Sequence, residues 1–329
     1  MYRNRKLDLL RVISMIMVII IHIANYYCRS YSNISRVSYL GALIFNTISR
    51  ISVPTFFMIS GATLLNKKYD KCKNKIRIKR KLITLLVITI VYFLWDTYYM
   101  EKSVNLIKLL YMPERKLLWF MYAIIGIYIS LPFIKCMVDK MAKEEDKLFI
   151  ILWIVFNGIL KNIGITEYYR VPIIDGTYYL GYFVIGYLIL KYSKEIEEKK
   201  NNLFLILASL LSFLIVVITT YFISLNNNKH FTGLLTYSNL FVIISSISSF
   251  ILIYFNITEK DNKIVSKLSY LSFGIYLIHG IFLNIIMNYI PYNNISSFIG
   301  IPILLIIILT ISSFIVALIK KNRFISDYL

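Results

Sequence analysis

The sequence contains few cysteines, few histidines and few acidic residues. Its 329 residues include three cysteines, three histidines and 17 aspartates and glutamates. Cys28, Cys72 and Cys136 show no zinc-type spacing and no plausible pairing, so we predict neither a disulfide nor a metal site. Low-complexity linkers and a long soluble segment are also lacking, so apolar segments and short loops must carry the function.

Apolar residues are abundant instead. They make up 58% of the chain, and the mean hydropathy is +0.68. Segments of about twenty apolar residues, long enough to cross a bilayer as helices, recur throughout. The sequence therefore predicts an all-α polytopic membrane protein, a single membrane-embedded domain over residues 1–329 with no soluble domain appended. About ten transmembrane helices are predicted, near 7–28, 38–66, 82–100, 117–138, 148–164, 177–191, 202–224, 234–256, 268–290 and 297–319.

Positive charge is plentiful, and its distribution indicates topology. The formal net charge is +20, from 37 lysines and arginines. With a cytosolic N-terminus, cytosolic segments hold 26 of these residues and the opposite loops hold nine. This bias follows the positive-inside rule, so both termini are predicted to be cytosolic and no nucleic-acid partner is expected. The dense run 67–81 has two interpretations: topology or lipid attraction, or binding of a specific anion.

Arg11 and His22 lie within one apolar run, LRVISMIMVIIIHIANYY. Eleven residues of helix exceed three turns by about 20°, so both side chains project from one face, roughly 16 Å apart along the axis. A charge or imidazole that faces lipid at this depth costs several kcal/mol. This face is therefore predicted to look into the protein or into a wet cavity.

Three further ionisable residues are predicted to lie inside membrane helices. Arg50 is near the middle of the second helix, upstream of Pro54, where a kink is expected. Asp96 in the third helix has a depth similar to that of His22, so the two could meet. His279 is near the middle of the ninth helix. For each, a structural hydrogen bond or ion pair between helices is the alternative to a functional role.

Arg77 and Arg80 lie in the basic segment KIRIKRKLITLL, in a predicted cytosolic loop before the third helix. Positions i and i+3 share a helix face. Two guanidinium groups presented in this way can hold a phosphate bidentately, which lysines do less well. Because such a short pattern is common, its meaning depends on the motifs around it.

Together these motifs resemble the integral-membrane acyltransferases of the acyltransferase 3 family. Arg11 and His22 are similar to the family's R/K-x10-H pattern, and Arg77 and Arg80 to its RxxR motif. The resemblance covers nearly the whole chain in order, apart from an ambiguous stretch around 140–175. It also rests on RISVPTFFMISGATLL (50–65), LLWFMYAIIGIYISLP (117–132), YFVIGYLI (182–189) and LSYLSFGIYLIHGIFL (268–283).

The resemblance implies transfer of an acyl group, most often acetyl, from cytosolic acyl-CoA to a hydroxyl of an extracytoplasmic or lipid-linked sugar of the cell envelope. It implies a multi-pass protein of the cytoplasmic (inner) membrane, with acetyl-CoA or another acyl-CoA as donor substrate. The expected partners are the lipid bilayer, acyl-CoA and an envelope polysaccharide or lipid-linked sugar. Whether a separate extracytoplasmic protein completes the transfer is left open.

The residues suit this reaction. An alcohol that attacks a thioester needs a base, and a neutral imidazole works well near pH 7. We predict that His22 is this base, with a transient acyl carrier as the alternative. Asp96 is predicted to orient the His22 ring, as a carboxylate does behind a histidine. The role of Asp96 is inferred from its chemistry and not from the resemblance.

The donor is predicted to bind through its phosphates. Arg77 and Arg80 would hold the nucleotide end of CoA, while Arg11 and Arg50 would meet the pyrophosphate or thioester end.

Four more residues are candidates for the site. Ser60 and Gly61 would let the pantetheine arm approach closely, with simple helix packing as an equal alternative. The other two are Trp119, in the segment LLWFMYAIIGIYISLP, and His279. The many aromatic residues could include a sugar-stacking platform, but tyrosine is ordinary at membrane interfaces. The acceptor is expected to contact the outward loops 101–116 and 165–176, the second of which contains Glu167, Arg170 and Asp175.

Other functional classes fit the same helix pattern. A proton-coupled transporter or flippase of an envelope lipid or polysaccharide could use His22, Asp96 and His279 as a proton relay. Against it, no inverted repeat is visible, and a proton-coupled carrier has no evident need for Arg77 and Arg80. A membrane scaffold without catalysis, as in membrane modules fused to other enzymes, is a third class, and we rate it lower because we expect no fused partner.

Overall fold

The computed structural model of the chain describes residues 4–100, 116–163, 178–257, 262–326 and 328. The ordered elements in these ranges are helices and helical turns, so the all-α prediction is confirmed. We number the α-helices in chain order. They are α1 Arg5–Arg29, α2 Arg36–Ile48, α3 Ser52–Leu64, α4 Lys71–Leu94, α5 Trp119–Lys140, α6 Lys143–Trp153, α7 Tyr178–Lys191, α8 Ser193–Lys199, α9 Asn202–Asn226, α10 Leu240–Asn256, α11 Lys263–Tyr289, α12 Ser297–Ile319 and α13 Arg323–Ser326.

Eight helical stretches among the described residues are long and apolar enough to cross a membrane. The chain is therefore a multi-pass membrane protein. The two remaining predicted spans, 148–164 and 177–191, correspond to shorter elements: α6 with its π-helical continuation Ile154–Leu160, and α7. The number of crossings and the cytosolic position of the termini stay predictions.

Two predicted helix boundaries differ from the structure. The second span is divided into α2 and α3 by a 3₁₀ turn, Ser49–Ile51, which contains Arg50. Pro54 lies in the first turn of α3, where its missing N–H costs little, so the irregularity precedes it. The prediction of a loop before the third span is wrong, because α4 already begins at Lys71. The Asp70 side chain caps this helix by accepting from the Lys73 backbone N–H at 2.9 Å.

Helix α1 lies at the centre of the bundle and packs against α2, α3, α11 and α12. Helices α3 and α7 make a particularly close contact. A Cβ atom on Gly61 would overlap the backbone carbonyl of Phe183, and one on Gly186 would overlap that of Met58. Small residues allow this backbone approach, which is a common basis of helix association in membranes. The contact fixes the wall that faces α1.

Candidate functional site

A cavity of about 1080 Å³ runs along one face of α1. Its walls come from several helices, and seven α1 residues line it: Arg11, Val18, Ile21, His22, Asn25, Tyr26 and Arg29. Five of them, all but Ile21 and Tyr26, follow one another at intervals of seven, four, three and four residues, the spacing of a single helix face. The face that carries Arg11 and His22 therefore looks into a cavity, as the sequence predicted.

The cavity extends through most of the depth of a bilayer. From Arg11 to Arg29, α1 rises about 27 Å, compared with roughly 30 Å for the hydrocarbon layer. His22 lies between them. We call the part near Arg11 the Arg11 end and the part near Arg29 the Arg29 end. By the predicted topology, the Arg11 end faces the cytosol.

The cavity wall is strongly basic. Among the described residues that line it there are six cationic side chains and no carboxylate. Fixed positive charge in a cavity with apolar walls attracts anions. The cationic residues are Arg11, Arg29, Arg50, Arg77, Arg80 and Lys81.

At the Arg11 end, Arg11 is held by an ion pair. Its Nη1 donates to Asp8 Oδ1 at 2.7 Å and to Ser269 Oγ at 3.0 Å. Ser269 Oγ donates to the same Asp8 oxygen at 2.7 Å. Sequence reasoning missed Asp8, although its i,i+3 spacing from Arg11 was a usable signal.

The two RxxR arginines line the same end. They lie inside α4 rather than in a loop, so Arg77 and Arg80 share a helix face and both border the cavity. Lys81 lies beside them, with its ammonium 3.2 Å from the centre of the Phe273 ring on α11. The basic run thus contributes three cations to the cavity wall.

His22 has another histidine as its neighbour. The ring centroids of His22 and His279 are 5.3 Å apart, with the planes tilted by 44°. His279 Nδ1 lies 2.7 Å from the Tyr276 carbonyl oxygen and 3.2 Å from that of Ile275. Carbonyl oxygens only accept, so Nδ1 is assigned the proton and Nε2 is an acceptor. This Nε2 is buried without a hydrogen-bonding partner among the described residues.

Asp96 lies in a different element from the one expected. It is buried in the π-helical segment Trp95–Tyr99 that continues α4, and it is not among the described residues that line the cavity. π-helical turns are rare and often occur near functional sites. The predicted action of Asp96 on His22 stays a prediction.

Arg50 is fixed by an amide. Its Nε and Nη2 donate to Asn46 Oδ1 at 2.9 and 2.6 Å, and Asn46 Nδ2 donates to Asn25 Oδ1 at 2.8 Å. The guanidinium carbon is 5.8 Å from the centre of the Tyr237 ring. The predicted contact of Arg50 with the CoA pyrophosphate or thioester stays a prediction, and Asn46 links Arg50 to Asn25, which lies between His22 and Arg29 on α1. Sequence reasoning missed Arg29 itself, although it continues the face of Arg11 and His22.

The other candidate residues either line the cavity or serve helix packing. Ser60 lines the cavity, and its Oγ donates to the Phe56 carbonyl at 2.9 Å. Trp119 also lines it and stacks on Tyr179 with centroids 4.8 Å apart. Gly61 faces α7, which is the helix-packing alternative. Residues of the acceptor loops, Glu167, Arg170 and Asp175 included, lie outside the described residues.

Comparison with known proteins identifies the family. The model of the acyltransferase 3 family, described as an acyltransferase domain, matches residues 4–320. No curated protein and no solved structure shows a significant match. The matched range covers nearly the whole chain, so the chain belongs to this acyltransferase family.

Proposed function

We propose that this membrane acyltransferase moves an acetyl or other short acyl group from cytosolic acyl-CoA to a hydroxyl of an extracytoplasmic or lipid-linked sugar of the cell envelope. The observation that carries the proposal is the cavity, in which His22 lies between a cluster of cations and the opposite end. A donor and an acceptor entering from opposite ends would meet at this imidazole.

The donor would occupy the Arg11 end. The nucleotide of CoA bears phosphates, and Arg77 and Arg80 on one face of α4 suit bidentate binding of such groups. Lys81 and Arg11 extend the positive surface toward His22. The pantetheine arm is long and narrow, so it could follow the cavity past Ser60 and bring the thioester to the imidazole.

His22 would act as a general base on the acceptor. Its neutral ring takes the proton from the acceptor hydroxyl while the oxygen attacks the thioester carbonyl. The tetrahedral intermediate then expels the CoA thiolate, which receives this proton from the imidazolium. A new ester bond forms, the thioester bond breaks, and no oxidant or reductant is needed. Formation of a transient acyl-histidine is the alternative.

A base of this kind needs a fixed tautomer. Asp96 was predicted in that role, and its buried position leaves it as a candidate. The ring next to His22 is that of His279, so we assign His279 the positioning role. If a small rotation of His22 lets one N–H donate to the free Nε2 of His279, the other nitrogen faces the acceptor.

The proposal includes location and partners. We place the protein in the cytoplasmic (inner) membrane, where cytosolic acyl-CoA and an envelope sugar are accessible from opposite sides. A separate extracytoplasmic protein that accepts the acyl group is an alternative final partner. A proton-coupled transporter or flippase is the second candidate function, favoured only by the length of the cavity. Transfer of labelled acyl groups separates the two, because a carrier would show none.

Binding of the donor is the first test. Purified protein in nanodiscs should bind radiolabelled acetyl-CoA saturably. In the Arg77→Ala, Arg80→Ala variant we expect at least tenfold weaker binding, because two phosphate ligands are lost. The matched control is Lys75→Ala, Lys79→Ala, which removes two exposed charges from the same helix without touching the cavity wall. Absence of binding by folded wild type, or equal loss in the control, would contradict the assigned donor site.

A further inference from the structure

The Arg29 end holds two guanidinium groups that the donor does not need. Arg29 and Arg50 line the cavity with His22, and both lie within electrostatic reach of its ring. Arg29 follows His22 by seven residues, which is about 20° less than two turns and about 10 Å along the axis. The proposed donor phosphates lie in the opposite direction, at the Arg11 end. Two cations therefore remain on the acceptor side of the imidazole.

No carboxylate among the described residues offsets the positive charge of these two side chains, because neither Arg29 nor Arg50 forms a salt bridge there. The Asn46 amide fixes the orientation of Arg50 but is neutral. A guanidinium has five N–H donors, and this arrangement uses only two of those on Arg50. An oriented cation with free donors, at membrane depth, is a ready site for an anion.

The surrounding groups suit a polyhydroxylated ligand. The Tyr26 hydroxyl donates to Asn284 Oδ1 at 2.7 Å, and Ser30 Oγ lies 3.0 Å from the Tyr292 hydroxyl. All four side chains line the cavity. The Tyr237 ring beneath Arg50 adds an apolar face. Hydroxyl and amide groups around fixed positive charge match a sugar or polyol that also carries a negative group.

We infer that the Arg29 end binds an acceptor carrying a phosphate or a carboxylate close to the hydroxyl that receives the acyl group. This inference rests on the proposed function and deepens it by naming the charge class of the acceptor. Arg50 contacts the anion directly, Asn46 and Asn25 hold Arg50 in place, and Arg29 attracts the anion at the opening. A neutral acceptor of the same shape binds more weakly.

The test uses four small probes and the full chain in nanodiscs. Glycerol 3-phosphate and glucuronate are compared with their neutral analogues, glycerol and glucose, at matched ionic strength. Saturating CoA occupies the Arg11 end, and the midpoint of thermal unfolding reports binding at the other end. We expect at least one charged probe to stabilise the protein saturably and its neutral analogue to require at least tenfold higher concentration. The two charged arms distinguish phosphate from carboxylate recognition.

Variants show where the anion binds. Arg50→Gln should weaken the charged probe at least tenfold and leave the neutral one unchanged. Asn46→Asp should weaken the charged probe in the same way, because its carboxylate would neutralise the charge of Arg50. This second variant keeps Arg50, so agreement between the two excludes a folding defect of Arg50→Gln as the cause. Arg36→Gln is the control, because Arg36 begins α2 near the same end but lies over the Tyr31 ring, outside the cavity wall. No preference for charge, or a preference that survives both substitutions, overturns the inference.

Failure of the inference is separable from failure of the proposed function. CoA alone should raise the unfolding midpoint of wild type, and absence of that shift contradicts the proposed donor. In that case the same titration in the Arg77→Ala, Arg80→Ala variant without CoA still reports on the Arg29 end. Stabilisation by the charged probes there supports the anion site, and its absence overturns it.

Discussion

The two ends of the cavity hold their innermost arginines in different ways. At the Arg11 end, Arg11 is paired with the Asp8 carboxylate. At the Arg29 end, Arg50 is held by the Asn46 amide. Both arrangements fix a guanidinium, but only the first offsets its charge. The Arg11 end has further cations on α4 for a phosphate-rich ligand, whereas Arg50 and Arg29 are the cations that the described part of the chain contributes to the Arg29 end.

The ends also differ in what holds their walls together. Near the Arg11 end, α3 and α7 are in backbone contact through Gly61 and Gly186. Near the Arg29 end, side-chain hydrogen bonds join the elements. The Tyr39 hydroxyl lies 3.0 Å from His230 Nδ1 and donates to Ser224 Oγ at 2.7 Å. Helix packing should therefore control the stability of the Arg11 end, and side-chain hydrogen bonds should control that of the Arg29 end.

The largest effect is expected at His22, where the two ends meet. His22→Ala should reduce transfer of labelled acetyl to membrane acceptors by about 10²–10⁴-fold, because the general base is lost. Acetyl-CoA binding should stay largely intact, because the phosphate ligands lie at the Arg11 end. His230→Gln serves as the control, since His230 is not in the cavity wall. Parallel loss of transfer and binding in His22→Ala would contradict this division between the ends.

The glycine contact should give the next largest effect. Gly61→Ala places a methyl group against the Phe183 carbonyl, so α3 and α7 must separate, at a cost of about 1–3 kcal/mol or more. Gly126→Ala in α5 is the matched control, because its Cβ would meet no atom within 4 Å. The thermal midpoint in detergent should fall for the first variant only. Similar thermal midpoints for both variants would mean that the close packing of α3 and α7 does not control the stability of this wall.

His279 tests how the base is positioned. His279→Leu should lower kcat about tenfold or more while the KM for acetyl-CoA stays within twofold, because the His22 tautomer is no longer fixed. His279→Gln, whose amide oxygen can accept the same hydrogen bond, should recover part of the loss. If both variants lose activity equally, His279 serves packing and Asp96 becomes the leading candidate for orienting His22.

Replacing the carboxylate partner of Arg11 by an amide should make the Arg11 end resemble the Arg29 end. Asp8→Asn keeps an acceptor for Arg11 but removes the carboxylate, so acetyl-CoA should bind about threefold to tenfold more tightly, equivalent to about 1 kcal/mol. Ser269→Ala is the control, since it removes a neutral partner of the same arginine. Weaker acetyl-CoA binding in Asp8→Asn would show that orientation by the carboxylate matters more than charge.

The smallest expected effect is the pH dependence of folding stability that His230 causes near the Arg29 end. Burial, with smaller contributions from Arg50 and Arg29, lowers the pKa of His230 to about 4. The folded protein therefore resists protonation while the unfolded chain accepts a proton below about pH 6.5, so stability falls as pH drops from about 6.5 to 4. The loss should be on the order of 1 kcal/mol, because the ring is only half-buried.

Thermal midpoints at pH 7 and pH 5 measure this effect. The decrease at pH 5 should be smaller in His230→Gln, which has no titratable ring at that position. An equal decrease in both proteins would assign the pH dependence to other groups.

Much of the site followed from regular helix geometry. The spacing of Arg11 and His22 predicted a shared inward face, and Arg77 and Arg80 predicted a shared face on α4. Asp8 and Arg29 were missed although both continue patterns visible on α1. The pairing of His22 with His279 could not be predicted, because their sequence separation gives no information on which helices are neighbours.

The sequence by itself determined the class of the protein, its apolar helices and the residues that share a face on each helix. These properties depend on composition and on the fixed period of the α-helix. Only the tertiary structure decided which side chains complete each arginine site across helices. Ser269 on α11 joins the Arg11–Asp8 pair, and Asn46 on α2 connects Arg50 to Asn25 on α1. Such contacts follow from how the helices pack, which no local pattern specifies.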